Sequence, residues 1–369
     1  MNIVSVVGAR PNFMKIAPII NALNMNPDIF EYKLVHTSQH YDNEMSDIFF
    51  NELNLPMPDI WLGAGSGSHA EQTAKIMIEF EKVVIKEMPD LVIVVGDVNS
   101  TLACSIVASK LLIPVAHIEA GLRSFDRTMP EEINRIVTDA LSDYLFTSCE
   151  DANENLKREG ISEKKIHFVG NLMIDTLKLL KQEASKQNTL QDLNLQKQGY
   201  ALLTLHRPSN VDDKNSFERI LESMKEISSR IPIFFPAHPR TKKQIKLFGL
   251  QNYFSNPNIK LANPFGYLSF LNLMMGSKFV LTDSGGIQEE TTVLNIPCLT
   301  LRKNTERPIT VSQGTNTIVD NDTDKIIQEA NKIIDGIYKQ GNIPKLWDGK
   351  SAERVVKVLL EKKDKLEKL

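Results

Sequence analysis

Cysteine is scarce: Cys104, Cys149 and Cys298 are the whole complement of a 369-residue chain. They are odd in number and far apart, which excludes a disulfide framework and the common zinc spacings. Each sits in or beside an apolar run, so buried free thiols are expected. An excess of one charge is also missing. The 43 basic and 46 acidic side chains leave a net charge of −3, so no global basic field draws in nucleic acid or an anionic membrane. No apolar run reaches the roughly 18 residues of a membrane span, and no cationic, apolar leader precedes the first strand-like run. The expectation is a cytoplasmic protein with no membrane or nucleic-acid partner. The turn after the first strand-like run, Gly8 to Lys15, is neither the GxGxxG fingerprint nor the GxxxxGK[ST] phosphate loop. What remains is ordinary: 42% apolar and 24% charged residues, a composition typical of globular chains, and a length that suits about two domains. An anionic ligand would have to be met by a local cluster of Arg, His and backbone N–H groups.

Short β-branched runs alternate with amphipathic stretches. Strands are expected at Ile3–Val7, Tyr32–His36, Leu91–Val95, Val115–Ile118, Tyr144–Phe146 and Ile166–Val169. A second series comes at Ala201–Thr204, Ile233–Phe235, Ile259–Leu261, Phe279–Leu281 and Cys298–Leu301. These runs are continuously apolar rather than alternating, which implies burial on both faces and a parallel sheet between helices. Intervening helices are expected at Lys15–Leu23, Ala70–Lys86, Thr101–Leu111, Ser216–Ser229 and Gly286–Leu294. The stretch Asp175–Gly199 reads as a helix followed by a linker, and Ala352–Leu369 as a final amphipathic helix. The expected architecture is two doubly wound α/β domains facing each other across a cleft. The first would span 1–171 plus the terminal helix 352–369, and the second 172–351.

Ligands of doubly wound sheets bind beyond the carboxyl ends of the strands, so the residues just past each strand are the candidates. After the first strand come Gly8 and, at the start of a helix, the cations Arg10 and Lys15, which favour an anion there. The glycine-rich run Gly63–Gly67 comes after no clear strand and reads as a loop. Asp97 and Glu119 each stand at a strand end, and Glu131 and Glu132 open another helix, where one of the pair could serve only the helix dipole. Clustered carboxylates raise one another's pKa, which is how general acids and bases near neutral pH arise. In the second half, His206 and His238 each stand just past a strand. The run Thr282-Asp283-Ser284-Gly285-Gly286 places exposed N–H groups at a helix start, a ready diphosphate cradle. Glu290 lies further along the same helix, where a carboxylate can accept from both hydroxyls of a ribose. Arg307 adds a loop cation. The inventory suits a nucleotide diphosphate held by the second domain, with its attached group presented to acids of the first.

Seven motifs in order extend the reading: Gly8-Ala9-Arg10-Pro11, Gly96-Asp97, His117–Arg123, Pro130–Arg135, Val169-Gly170-Asn171, Leu281–Glu290 and Thr305–Pro308. Together, from about residue 1 to residue 365, they resemble the non-hydrolysing UDP-N-acetylglucosamine 2-epimerases. The resemblance implies a GT-B fold of two Rossmann-like domains, with the final helix returning to the first. It also implies homodimers, no metal and no nicotinamide cofactor. It implies a C2 epimerisation of a UDP-N-acetylhexosamine in which UDP is eliminated to 2-acetamidoglucal and added back. Carried over by position, Asp97, Glu119 and Glu131 are the acid/base carboxylates, with individual steps unassigned. His206 and Arg10 grip the diphosphate, Ser284, Gly285 and Gly286 bind phosphate, and Glu290 binds the ribose. Arg135 and Arg307 match positions near the sugar and the cleft, and Phe270 matches the uracil contact.

This chain departs from many bacterial members. Ala9 and Asn12 replace Thr and Glu, Pro208 and Ser209 replace Arg and Glu after His206-Arg207, Tyr41 replaces Arg after Gln39-His40, and Ile309 replaces Glu. Two of these changes remove cations that help form an activating second UDP-GlcNAc site in some members, and the set could also mark a different N-acetylated UDP-sugar. Three alternatives stay open: the hydrolysing branch, which releases ManNAc and UDP; a GT-B glycosyltransferase; and a catalytically silent UDP-sugar-binding protein.

Overall fold

Every strand among the described residues runs parallel to its neighbours, and the order in which the strands are laid down decides where ligand can bind. A computed structural model describes residues 1–38 and 55–366. The strands are β1 Asn2–Val7, β2 Glu31–His36, β3 Ile60–Trp61, β4 Leu91–Val95, β5 Val115–Ala120, β6 Tyr144–Thr147 and β7 Ile166–Phe168, and then β8 Ala201–Thr204, β9 Ile233–Pro236, β10 Ile259–Ala262, β11 Phe279–Thr282, β12 Cys298–Thr300 and β13 Asn316–Ile318. They form a seven-stranded sheet of order β3-β2-β1-β4-β5-β6-β7 and a six-stranded sheet of order β10-β9-β8-β11-β12-β13. In the first sheet the chain winds outward from β1 to β3, then returns to the other side of β1 with β4. In the second it does the same from β8 to β10 and back to β11. The switch points are therefore β1/β4 and β8/β11, and crevices open at the carboxyl ends of such strand pairs.

The expected strands are present, and two short ones escaped the sequence reading. β3 has only two residues, and β13 (Asn-Thr-Ile) carries too little apolar pattern to stand out. β4 (Leu-Val-Ile-Val-Val) is buried along its whole length, as a central parallel strand covered on both faces must be. The helix after β1 starts at Arg10 rather than near Lys15 and runs to Asn24. Helix His69–Glu87 begins after Ser68, whose side chain accepts from Glu71 N while Glu71 reaches back, a reciprocal capping box. The glycine-rich run before it is a loop, with Gly63 and Gly65 both at positive φ. Asp213 caps helix Lys214–Ile227 by accepting from Ser216 N. All three cysteines are buried and free. Among the described residues no helix is long and apolar enough to cross a membrane.

The chain divides into one unit of Met1–Leu179 with Lys345–Leu369 and a second of Leu180–Pro344. The first division falls inside helix Leu172–Ser185, a few residues beyond the sequence-based boundary, because Thr176 Oγ1 donates to Met14 O within the first unit. The second falls before residue 352, because Trp347 is buried in the first unit and donates from Nε1 to Ser148 O at 2.8 Å. From there helix Ser351–Leu366 packs on helix Arg10–Asn24, and its Ala352 N donates to Asp175 Oδ2 at 2.8 Å.

Gly170 shows how tightly that return is fitted. Its φ is +94°, and a Cβ there would lie 2.1 Å from Leu346 O and 2.9 Å from Ser351 Oγ. Gly160, at φ +82°, has nothing within 4 Å. Gly160→Ala should therefore carry only the backbone term, about 1 kcal/mol. Gly170→Ala adds a clash with backbone and should exceed about 2 kcal/mol. Thermal midpoints of the two variants against wild type check the ordering.

Candidate active site

In the first unit the candidates gather at the ends of β1, β4 and β5. Asn12 ties the first two together: its Oδ1 accepts from Gly8 N (3.1 Å) and Ala9 N (3.0 Å), and its Nδ2 donates to Val95 O at 3.0 Å. A carboxylate there could accept but not donate, so the amide makes one more strand-to-strand link than Glu could. Gly96 stands after β4 at φ +70°, and a Cβ on it would meet Asn12 Nδ2, Lys15 Nζ and Glu119 Oε2 at 3.3–3.6 Å. The β1, β4 and β5 ends thus converge on one glycine.

Glu119 is itself bulged out of the sheet. The β5–β6 register shifts between Ile118 and Ala120, and Glu119 has φ +72°. Positive φ is strained for a side chain of this kind and is tolerated where a bulge must re-aim it. The carboxylate is buried and paired with the ammonium of Lys15. Lys15 is therefore not a cation at the helix N-terminus, as its sequence position implied. It lies in the second turn, turned towards β5. Asp97 Oδ2 accepts from Arg135 Nη1 at 2.5 Å and remains about one-third exposed. Glu119 and Asp97 each have a cation as partner.

The acidic pair on helix Pro130–Leu141 is split by the fold. Glu132 is buried and accepts from Ser124 N, Ser124 Oγ and Phe125 N, each at 2.9 Å, and from Arg135 Nη2 at 2.5 Å. Burial works to raise its pKa, but these donors hold it below the usual carboxylate range. Its work is to fix the loop after β5. Glu131, half-buried at the first turn, is the member left at the helix start. Beneath lies a network that sequence reasoning did not single out. Buried Asp139 pairs with His117 Nδ1 (2.6 Å) and Arg123 Nη2 (2.7 Å) and accepts from Gly121 N at 3.1 Å. The other nitrogen of His117 lies 2.7 Å from Gly96 O. The His117 ring so bridges β5 to the turn carrying Asp97.

In the second unit the ends of β8 and β11 meet around buried Asp283. It accepts from His206 N, Arg207 N (2.9 Å) and Asn210 Nδ2 (3.2 Å), and its Oδ1 lies 2.9 Å from His206 Nδ1. Burial opposes its charge, yet His206 and the two N–H groups keep the carboxyl below its ordinary range. The ring of His206 is thereby fixed through Nδ1, with nearly half of the side chain exposed. His238, by contrast, caps helix Pro239–Phe248 by accepting from Arg240 N. Helix Gly285–Leu294 starts beside Asp283, with Ser284 as N-cap and no acidic residue in its first turn. The N–H groups of its first turn have no helical acceptor, and the helix dipole favours an anion there.

Arg307 is buried rather than a free loop cation. Its Nε lies 2.9 Å from Glu289 Oε1, and its Nη1 binds Glu306. Glu306 also pairs with Arg302 (2.8 Å) and more distantly with Arg207 (3.8 Å). Burial pushes Glu306 up, but three guanidiniums overwhelm it and hold it well below the carboxylate range. A Cβ on Gly285 would sit 2.5 Å from Arg307 Nη1, so only glycine lets this cation approach the helix start. Glu290, further along, is buried and accepts from Tyr267 Oη at 2.6 Å. Burial raises its pKa to about 7, with Tyr267 pulling down and Glu289 pushing up. Phe270 is half-buried on helix Tyr267–Gly276, the same helix that carries Tyr267. Arg10 opens its helix after β1, and the departure at Gln39-His40-Tyr41 lies outside the described residues.

Residues 21–360 match the sequence model of one family, described as UDP-N-acetylglucosamine 2-epimerase. The chain belongs to that family. It is 48% identical over 365 residues to the UDP-N-acetylglucosamine 2-epimerase of Methanocaldococcus jannaschii, covering 97% of this chain and 99% of the relative. The crystal structure of that epimerase with UDP-GlcNAc and UDP superposes with a TM-score of 0.90 over 98% of this chain and 100% of the other. A second relative, 42% identical over 333 residues (89% of this chain, 91% of the relative), is the UDP-2,3-diacetamido-2,3-dideoxy-D-glucuronate 2-epimerase of Pseudomonas aeruginosa. The two parallel sheets are the two Rossmann-like domains of the GT-B fold to which these epimerases belong.

The raised pKa of Glu290, about 7, has a consequence for stability. A carboxyl with a raised folded pKa contributes stability below its unfolded value and loses it as pH climbs through the folded one. Glu290→Gln removes that buried charge. Its stability should exceed that of wild type at pH 8, by up to about 3 kcal/mol, and the gain should vanish near pH 4.5. Thermal melts at the two pH values measure it.

Proposed function

We propose that the protein interconverts UDP-N-acetylglucosamine and UDP-N-acetylmannosamine by eliminating UDP to 2-acetamidoglucal and adding it back, without net hydrolysis. In the forward half-reaction a base takes the C2 proton, its electron pair forms the C1–C2 double bond, and the C1–O bond breaks with its pair leaving on UDP. In the return, UDP oxygen attacks C1 and an acid delivers a proton to the opposite face of C2. The observation that carries this reading is Glu119, a carboxylate re-aimed by a strained bulge at a strand end beside the switch point. Asp97 and Glu131 complete the acid/base set, and no step is assigned among the three. Lys15 and Arg135 hold two of these carboxylates in place.

UDP departs best where its diphosphate is already neutralised. His206, oriented by Asp283, the start of helix Gly285–Leu294 with Ser284, Gly285 and Gly286, and the cations Arg10 and Arg307 serve that end. Glu290 takes the ribose and Phe270 the uracil. No metal or nicotinamide enters this chemistry. The family resemblance adds a homodimer to the reading. The same steps would serve a UDP-2,3-diacetamido-uronate, the substrate class in the name of the 42% identical relative, so the sugar itself must be tested.

Proton NMR of UDP-GlcNAc with the protein in D2O decides. UDP-ManNAc carrying deuterium at C2 is the expected product. Free ManNAc with UDP would move the protein to the hydrolysing branch, and UDP released only with an acceptor would make it a glycosyltransferase. Binding without turnover, repeated with the diacetamido-uronate, would reassign the sugar or reveal a silent binder. Glu119→Gln should keep UDP binding and slow C2 exchange by about 100- to 10,000-fold; surviving exchange would remove Glu119 from the acid/base set. Near-UV circular dichroism guards against misfolding, since the variant leaves the buried Lys15 without its anion.

A further inference from the structure

Glu290 is an awkward group to rely on. It is buried, it is preceded in its helix by another buried acid, Glu289, and burial pushes it up to about 7. A protonated carboxyl can accept from one ribose hydroxyl but must offer its own proton to the other site, whereas the ionised form accepts from both. The rotation of the carboxylate matters equally, because two acceptor oxygens must meet two neighbouring hydroxyls. One contact controls both properties: Tyr267 Oη donates to Glu290 Oε1 at 2.6 Å, with both side chains buried.

We propose that Tyr267 is a positioning residue for UDP-sugar binding: its hydroxyl holds the Glu290 carboxylate in the rotation and the ionised form that accept the ribose 2′- and 3′-hydroxyls. This inference rests on the reading of Glu290 as the ribose acceptor. Burial and the neighbouring carboxylate push the Tyr267 phenol well above its ordinary range, so it keeps its proton and can donate it to the ionised Glu290. It is also one turn of helix from Phe270, so a single helix sets both the ribose acceptor and the proposed uracil contact. Among the described residues, the groups that shift Glu290 are Tyr267 from helix Tyr267–Gly276 and Glu289 from its own helix. Glu289 is in turn compensated by Arg307 from the loop after β12. The hydrogen bond from Tyr267 is thus the largest influence that favours the ionised form.

A pH-dependent affinity is the consequence. Ribose binding selects the ionised form, so affinity should rise with pH through the neutral range. With the group at about 7, the ionised fraction differs about tenfold between pH 6 and pH 8. The probe is UDP-GlcNAc, whose diphosphate diester does not titrate there. Its Kd is measured by calorimetry from pH 6 to pH 9 for wild type, Tyr267→Phe and Glu290→Gln, each checked for native fold. Groups at the diphosphate, His206 among them, act alike in all three, so each affinity is divided by that of Glu290→Gln.

The wild-type ratio should rise about tenfold across the range. Tyr267→Phe should displace the rise to higher pH, with affinity at pH 7 about 3- to 10-fold below wild type and the deficit narrowing, without vanishing, by pH 9. In turnover the loss should fall on KM rather than kcat. A merely structural tyrosine would lower affinity equally at every pH. Superimposable profiles for wild type and Tyr267→Phe, or a uniform loss, overturn the proposal while leaving the functional reading intact. Wild type that fails to bind UDP-GlcNAc at any pH overturns that reading and the proposal with it.

Discussion

A parallel sheet sends all its strand ends the same way, and a doubly wound one must reverse its direction of travel once. That reversal separates the loops leaving two adjacent strands, one to each face, and opens a crevice that neither loop can fill. In the first unit the adjacent pair is β1 and β4, in the second β8 and β11. The Gly8–Asn12 turn and Gly96-Asp97 leave the first pair; His206 and Asp283-Ser284 leave the second. The fold therefore explains why chemistry-bearing residues distant in sequence share a sheet edge within each unit.

The sites so created are built from compensated charge. Glu119 with Lys15, Asp97 with Arg135, Asp139 with His117 and Arg123, Asp283 with His206, and Glu306 with three arginines all share one pattern. Removing a buried charge from water is tolerated only where a partner and further hydrogen bonds replace the lost hydration. The consequence for function is rigidity. The carboxylates of Glu119 and Asp97 and the imidazole of His206 are each held by a second group. Glu290 departs from the pattern, since its donor is a neutral phenol and the charge acting on it is like its own. Its carboxyl is accordingly pushed up to about 7.

Strand positions, the two-domain organisation and the family were legible in the sequence because continuous apolar runs, turn glycines and ordered motifs are local signals. Most candidate residues were legible too, since they stand directly past a strand end. Their partners were not. Asp139 and His117 are 22 residues apart, Asp283 and His206 are 77 apart, and Tyr267 and Glu290 are 23 apart on different helices. No spacing rule links such pairs. The acidic pair at Glu131-Glu132 shows the same limit: two adjacent acids read alike in one dimension, yet helix rotation buries Glu132 against Ser124 and leaves Glu131 at the first turn.

Sequence alone thus determined which residue types stand at the strand ends, because strand, turn and helix propensities are properties of a few neighbouring residues. Only tertiary structure decided which of those groups are paired, buried or strained. Lys15 moved from an expected helix-end cation to the partner of Glu119, Arg307 from a loop cation to the hub of two buried carboxylates, and Glu119 into a bulge at positive φ. The reason is physical: hydration, charge compensation and backbone strain depend on what lies within a few ångströms, and chain distance does not encode that.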